Sequence, residues 1–271
     1  MNVQVLGILN ITEDSFSDGG RYVTPTAALA HARALIAEGA NIIDLGPAAS
    51  NPDAQKVSVQ QEIERISPLI KFLHEERAQI SVDSFHPETQ RFAISQGVHF
   101  LNDIRGFPHA WFYPELAHSN CQLIVMHSMQ RDGIATRDDR TPSVVWDHII
   151  RFFSERTNAL LKAGISSKRI ILDPGMGYFL SSNPEASAFV LGNLRRLCDR
   201  FQLPILISVS RKSFLRNLVS RTVDESGAAT LAAEIWAANH GASYLRTHEP
   251  APLRDALLVT RALSDRRAQS Q

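Results

Sequence analysis

Cysteine is almost missing: Cys121 and Cys198 are the only two in 271 residues, and neither belongs to a Cys-x-x-Cys pair. That excludes a disulfide scaffold and a thiolate metal centre, and it fits two core thiols in a reducing cytosol. Net charge is missing too. Lys plus Arg and Asp plus Glu each number 28, so no field of one sign calls for nucleic acid or an anionic membrane as partner. No apolar stretch reaches membrane-spanning length, and the opening MNVQVLG has neither the basic segment nor the long apolar run of an export signal. A soluble, unexported, cytoplasmic protein is expected. No low-complexity linker divides the chain, so residues 1–271 are expected to form a single domain, with the closing RRAQSQ a frayed tail.

In place of these features the chain carries a recurring unit. Short apolar runs end one after another in a polar, charged or Gly residue: VQVLGILN at Asn10, NIIDLG at Asp44, QISVDS at Asp83, HFLND at Asn102 and Asp103, LIVMH at His127, RIILDPG at Asp173, PILISVSRK at Ser210 to Lys212, and SYLRTH at Arg246 and His248. Helical stretches separate them. Pro25 suits the first turn of PTAALAHARALIAEGA and Gly39 its end. SVQQEIERISPLIKFLHEER lines up Ile63, Ile66, Leu69, Ile70 and Leu73 on one face. ETQRFAISQG, YPELAHSN, PSVVWDHIIRFFSERTNALLKAG, PEASAFVLGNLRRLCDR, GAATLAAEIWAANHG and PLRDALLVTRALS supply the remaining helices. Alternating strands and helices of this kind predict an α/β fold, a (β/α)8 TIM barrel, with its chemistry at the strand C-termini. The segments 11–24, 46–57, 128–141 and 173–183 all follow strands and are expected to form the rim of that face.

Asp44, Asp83 and Asp173 close otherwise apolar strands, with Asn102 beside them. For Asp44 alone, capping of the next helix is the better reading. Several carboxylates at one barrel mouth raise one another's pKa unless a ligand brings donors or cations, and a heteroaromatic ring with an amino group would do so. Arg211, Lys212, Arg246 and His248 are expected to form a cationic arc suited to an anion such as phosphate. LNITEDSFSDGG, with Gly19, Gly20 and Phe16, reads as a turn-rich loop. In DPGMGYFLSSNP, Gly175 and Gly177 permit close backbone approach, and Tyr178 and Phe179 read as exposed aromatics that meet a ligand or, as the alternative, pack against a neighbouring subunit.

Taken in order, LNITEDSFSDGG, ISVDSF with LNDIRGF, LDPGMG, SVSRKSFL and YLRTHE resemble dihydropteroate synthase across strands one to eight. The resemblance implies a folate-pathway transferase that joins p-aminobenzoate to 6-hydroxymethyl-7,8-dihydropterin pyrophosphate with Mg2+ present. It implies a pterin pocket at Asp83, Asn102, Ile104, Met126, Asp173, Lys212 and Arg246, with Asp83, Asp173, Lys212 and Arg246 acting in catalysis. It further implies pyrophosphate and its metal at Asn10, Arg246 and His248, the metal ligand being Asn10. The p-aminobenzoate side would comprise Phe16, Ser50, Pro52, Tyr178, Arg211 and Ser213. A homodimer joined through the last helices is implied as well.

Three departures from the family pattern stand out. Pro47-Ala48-Ala49-Ser50-Asn51-Pro52 replaces the usual Gly-Glu-Ser-Thr-Arg-Pro, Glu13 stands where Pro is common, and Phe179 replaces a Gly. They are similar to the sulfonamide-insensitive synthases carried by mobile resistance elements, and Phe179 is expected to discriminate against the drug. Two other readings compete: a methyltetrahydrofolate methyl-transfer barrel, which has no need of the SRK and RTH segments, and a degenerate barrel that only binds pterin or drug.

Overall fold

The structure is a computed structural model and describes residues 3–11, 25–48, 57–130 and 138–268. Eight strands run β1 Gln4–Asn10, β2 Ile42–Gly46, β3 Gln79–Asp83, β4 Phe100–Asp103, β5 Gln122–Met126, β6 Ile170–Asp173, β7 Leu206–Ile207 and β8 Tyr244–Thr247. They are parallel, in the order β6-β5-β4-β3-β2-β1-β8-β7, and a parallel bridge between Leu172 and Ile205 joins the two ends. The sheet therefore curls into the expected barrel, closed between β6 and β7 by that bridge.

Side chains alternate along each strand with a period of two, and the two phases go to different cores. Leu6, Ile42, Phe100, Ile124, Ile171 and Leu206, with Tyr244, form one apolar cluster that fills the barrel. Their neighbours of opposite phase, among them Val5, Ile43, Ile80, Leu101, Leu123, Ile170 and Leu245, join the larger core shared with the helices. Being buried on both faces explains why the strands read as unbroken apolar runs.

The surrounding helices are α1 Pro25–Ala37, α2 Val59–Glu75, α3 Pro87–Ser95, α4 Tyr113–His118, α5 Pro142–Lys162, α6 Pro184–Gly192, α7 Leu194–Phe201, α8 Ser213–Val219, α9 Gly227–Asn239 and α10 Pro250–Ala268. A capping box starts α2: Ser58 Oγ accepts from the Gln61 N–H at 3.3 Å while Gln61 Oε1 accepts from the Ser58 N–H at 2.9 Å. Ile66, Leu69, Ile70 and Leu73 are buried on its inner face, with Ile63 only half-buried at the edge of the stripe. No helix among the described residues is long and apolar enough to cross a membrane.

The structure corrects several expectations. PEASAFVLGNLRRLCDR forms two helices, because the weak helix formers Gly192 and Asn193 interrupt it. β7 is only two residues long, although residues 208–210 stay buried beyond it. SFLRNLV, which carried no expectation, is the short helix α8. Arg266, Arg267 and Ala268, expected in a frayed tail, extend α10. Cys198 is half-buried rather than in the core.

Behind β3 lies a buried polar frame. Glu62 of α2 accepts hydrogen bonds from Ser84 Oγ at 2.7 Å and Thr89 Oγ1 at 2.6 Å, and its other oxygen lies 3.2 Å from His86 Nδ1. Gln90 donates to the Ser84 carbonyl at 2.7 Å and to Asp103 Oδ2 at 2.9 Å. The residues just after Asp83 are thereby tied to two helices and to β4. Glu62→Ala strands two buried hydroxyls, so a loss of about 2–4 kcal/mol is expected in urea unfolding, with a smaller loss for Glu62→Gln, which keeps one acceptor. Equal stability of Glu62→Ala and parent would show that the frame is dispensable.

Candidate active site

Strand phase places the polar residues. Asn10 follows Leu6 and Ile8, Asp44 follows Ile42, Asn102 follows Phe100, Met126 follows Ile124, Asp173 follows Ile171 and Arg246 follows Tyr244, each an even number of residues after a residue of the barrel interior. Register aligns Asp44 with Ser81, Asp83 with Asn102 and Met126 with Asp173. These side chains gather at the C-terminal mouth because each continues the inward phase of its strand past the apolar filling.

At the centre is Arg246. Its Nε donates to Asp44 Oδ2 at 2.5 Å and its Nη2 to Asp83 Oδ2 at 2.9 Å. Asp44 is fully buried and also receives a long bond of 3.4 Å from Asn102 Nδ2. Helix capping, the expectation for Asp44, does not hold: its inward phase makes it the inner anchor of Arg246. Burial alone would lower the guanidinium's pKa, but Asp44 and Asp83 outweigh that and hold it above its ordinary value.

The carboxylates feel the opposite pressure. Burial, followed by the repulsion of Asp44, Asp103 and Asp173, raises Asp83 against the pull of Arg246. Asp173 is pushed up to about 6, mainly by burial, although Gly175 N–H donates to its Oδ1 at 2.8 Å and Lys212 and Arg246 attract it. Lys212 is brought down to about 8 by burial and then by Arg246, and its Nζ lies 5.1 Å from the centre of the Phe179 ring. Two buried acceptors, Asp44 Oδ1 and Asn102 Oδ1, take no hydrogen bond from the described residues. Such a wall suits a ligand that brings its own N–H donors.

Beside this wall, Ile104, Met126 and Phe179 form an apolar cluster against which Phe85 and Tyr178 pack. Phe179 is 7 % exposed and Tyr178 half-buried, which corrects the expectation of exposed aromatics. They sit on a tight turn over Gly177–Phe179, where Gly177 has φ +67° and its N–H donates to Ser187 Oγ at 2.9 Å. Across the mouth, Arg211 pairs with Glu249 at 3.5 Å, and Ser213 opens α8 directly after Lys212.

His248 does not join the cationic arc. Burial, reinforced by Arg211, Arg246 and Lys212, lowers its pKa well below the ordinary value, so it is neutral and shares a 2.9 Å hydrogen bond with Ser210 Oγ. Asn10 ends β1 next to Gly46, where an added Cβ would approach its Oδ1 to 3.0 Å. Phe16, Ser50 and Pro52 lie outside the described residues. Among the described residues no group of three or more His, Cys, Asp and Glu side chains could hold a metal ion.

Two supporting groups were legible in the sequence as strand ends but carried no role there. Asp103 is buried and bonded to Gln90, and His127 is buried at the end of β5. The signal for Asp44, its shared phase with Ile42, was legible in the sequence. For His127 no local signal separates a ring that supports the site from one that merely packs.

A closed parallel barrel with buried acids, a bridging Arg and a half-buried Lys at its C-terminal mouth defines a TIM-barrel enzyme with a site for a small polar ring. The profile of the pterin binding enzyme family matches residues 6–248. Dihydropteroate synthase type-2 of Escherichia coli is 56% identical over 261 residues, 96% of each chain. Two solved structures of Xanthomonas albilineans dihydropteroate synthase superpose closely. The one with 4-aminobenzoic acid has a TM-score of 0.86 at 34% identity, covering 97% of this chain and 93% of the other. The one with 7,8-dihydropteroate has a TM-score of 0.82 at 32% identity, covering 97% and 94%. The chain belongs to the pterin binding enzymes and, within them, to the dihydropteroate synthases.

The raised pKa of Asp173 has a measurable sign. A carboxyl moved from 3.8 to about 6 binds its proton more tightly when folded, so its contribution is most favourable below about pH 4 and is lost as pH rises through about 6. Asp173→Asn keeps an acceptor for the Gly175 N–H and removes that loss. The ligand-free variant is expected to melt higher than the parent near pH 7, with the gap closing toward about pH 4, by scanning calorimetry. A variant that melts lower near pH 7 would show that attraction to Lys212 and Arg246 outweighs burial.

Proposed function

We propose that this protein condenses 6-hydroxymethyl-7,8-dihydropterin pyrophosphate with p-aminobenzoate, releasing 7,8-dihydropteroate and pyrophosphate in folate biosynthesis. The observation that carries the reading is the wall of buried acceptors, Asp44 Oδ1, Asn102 Oδ1 and Asp173, facing a mouth that also holds Arg211, Lys212 and Arg246. A pterin supplies the amino and ring N–H donors that the wall lacks, with Ile104 and Met126 as its apolar neighbours. Lys212, lowered toward neutrality, donates to the ring's acceptor edge.

The C–O bond to pyrophosphate breaks with its electron pair leaving on the anion. The methylene cation is delocalised into the electron-rich ring and stabilised by Asp83 and Asp173. The aromatic amine, already neutral, attacks with its lone pair and then gives up a proton to water, so no dedicated base is required. Among the described residues Arg246 uses two of its five donors, on Asp44 and Asp83, and it turns others to the departing anion, next to neutral His248. Mg2+ fits as a companion of the pyrophosphate, since the Asn10 amide oxygen offers one donor and Mg2+ favours substrate phosphates and waters over an all-protein cage. When bound, it neutralises leaving-group charge.

Arg211 and Ser213 take the p-aminobenzoate carboxylate and Tyr178 its ring; the same role is proposed for Phe16, Ser50 and Pro52, which lie outside the described residues. Leu258, Val259 and Leu263 of α10 are 58%, 60% and 66% exposed, which supports a homodimer through the last helices. The working compartment is the cytoplasm.

The same site is proposed to refuse sulfonamides. Their tetrahedral sulfonyl and additional ring project beyond the volume of p-aminobenzoate, and Phe179 occupies space that a Gly would leave open. The test is pyrophosphate release from both substrates, with and without sulfonamide. The parent should turn over and be little inhibited, whereas a chain that binds pterin without releasing pyrophosphate is not a synthase. Phe179→Gly should tighten sulfonamide inhibition by about 10- to 200-fold while changing the p-aminobenzoate KM by less than about threefold. A folded, active variant as insensitive as the parent would move discrimination away from Phe179.

A further inference from the structure

We propose that His127 is a positioning residue for Asp173, clamping the Asp173-Pro174-Gly175 turn from the neighbouring strand end. The inference rests on the function just proposed, because it concerns how one wall of the pterin site is held.

His127 follows β5 directly and is fully buried. Its backbone N–H donates to the Asp173 carbonyl at 2.7 Å, and its ring Nδ1 lies 3.0 Å from the Pro174 carbonyl oxygen. A carbonyl only accepts, so Nδ1 carries the proton. Nε2 must then accept from Nδ1 of His148 on α5, 2.8 Å away. One arrangement of two neutral rings satisfies the whole chain of bonds, and it fixes the imidazole plane. The rings of Phe152 and Phe153, with centres 5.3 and 6.3 Å away, wall it in.

The third contact is steric. A Cβ at Gly175 would lie 2.4 Å from the His127 carbonyl oxygen, and Gly175 has φ +74°. Only glycine lets the turn sit so close to β5. Gly175 in turn donates its N–H to Asp173 Oδ1 at 2.8 Å, so the carboxylate is aimed by the turn that His127 grips. Packing alone does not call for an imidazole at this position, since Phe would fill the cage beside Phe152 and Phe153 without the cost of burying two ring nitrogens.

Two substitutions separate these roles. His127→Phe keeps ring packing and removes the donor, while His127→Asn places an amide N–H near the position of Nδ1. In His127→Phe, kcat/KM for the pterin pyrophosphate should fall about tenfold or more with the p-aminobenzoate KM within about twofold, and His127→Asn should recover most of the loss. In calorimetry with 7,8-dihydropterin, His127→Phe should weaken binding to the parent chain but add nothing in an Asp173→Asn background. Parental behaviour of His127→Phe would overturn the inference. So would equal losses in the Phe and Asn variants, or a loss that only follows the drop in melting temperature. A parent that neither turns over nor binds the pterin would instead bring down the proposed function, and this inference with it.

Discussion

One guanidinium sets the terms for the rest of the site. Arg246 reaches from β8 to Asp44 on β2 and Asp83 on β3, so one side chain compensates a buried and a half-buried carboxylate and ties three strands together across the mouth. Without it, Lys212 and Asn102 would be what the described residues offer to offset those acids. Removing one partner of such a buried set typically costs about 3–5 kcal/mol. The arrangement is tolerated because the apolar filling of Leu6, Ile42, Phe100, Ile124, Ile171 and Leu206 lies beneath it and supplies burial the polar layer cannot.

The polar layer is also braced from behind. Glu62, Ser84, Thr89 and Gln90 hold the residues after Asp83, and His127 with His148 holds those after Asp173. Both frames are buried and hydrogen-bonded, and both join a strand end to a helix of the outer ring. A site of acids that resist ionisation is a local cost to stability, and its geometry survives because the surrounding structure over-determines it.

Neighbouring charges account for chemical differences between residues of the same kind. Asp44 and Asp83 share one cation, whereas Asp173 leans on a backbone N–H and the more distant Lys212 and Arg246. His248 and His127 are both neutral, mainly through burial, but cations surround the first and a carbonyl and a second imidazole the other. One ring is thereby neutral among cations and the other a brace.

The sequence by itself determined the barrel, because an apolar run buried on both faces and closed by a polar residue is a local pattern repeated eight times over. It also determined which polar residues meet, since strand phase carries Asn10, Asp83, Asn102, Asp173 and Arg246 to the same mouth. Tertiary structure alone decided what each of them does there. The partner of Asp44 is 202 residues away in the chain, the neutrality of His248 follows from burial reinforced by cations on β8 and on the segment after β7, and Phe179 is buried because Ile104 and Met126 come from two other strand ends. Charge state, pairing and burial depend on distances between elements remote in sequence, and no local pattern contains those distances.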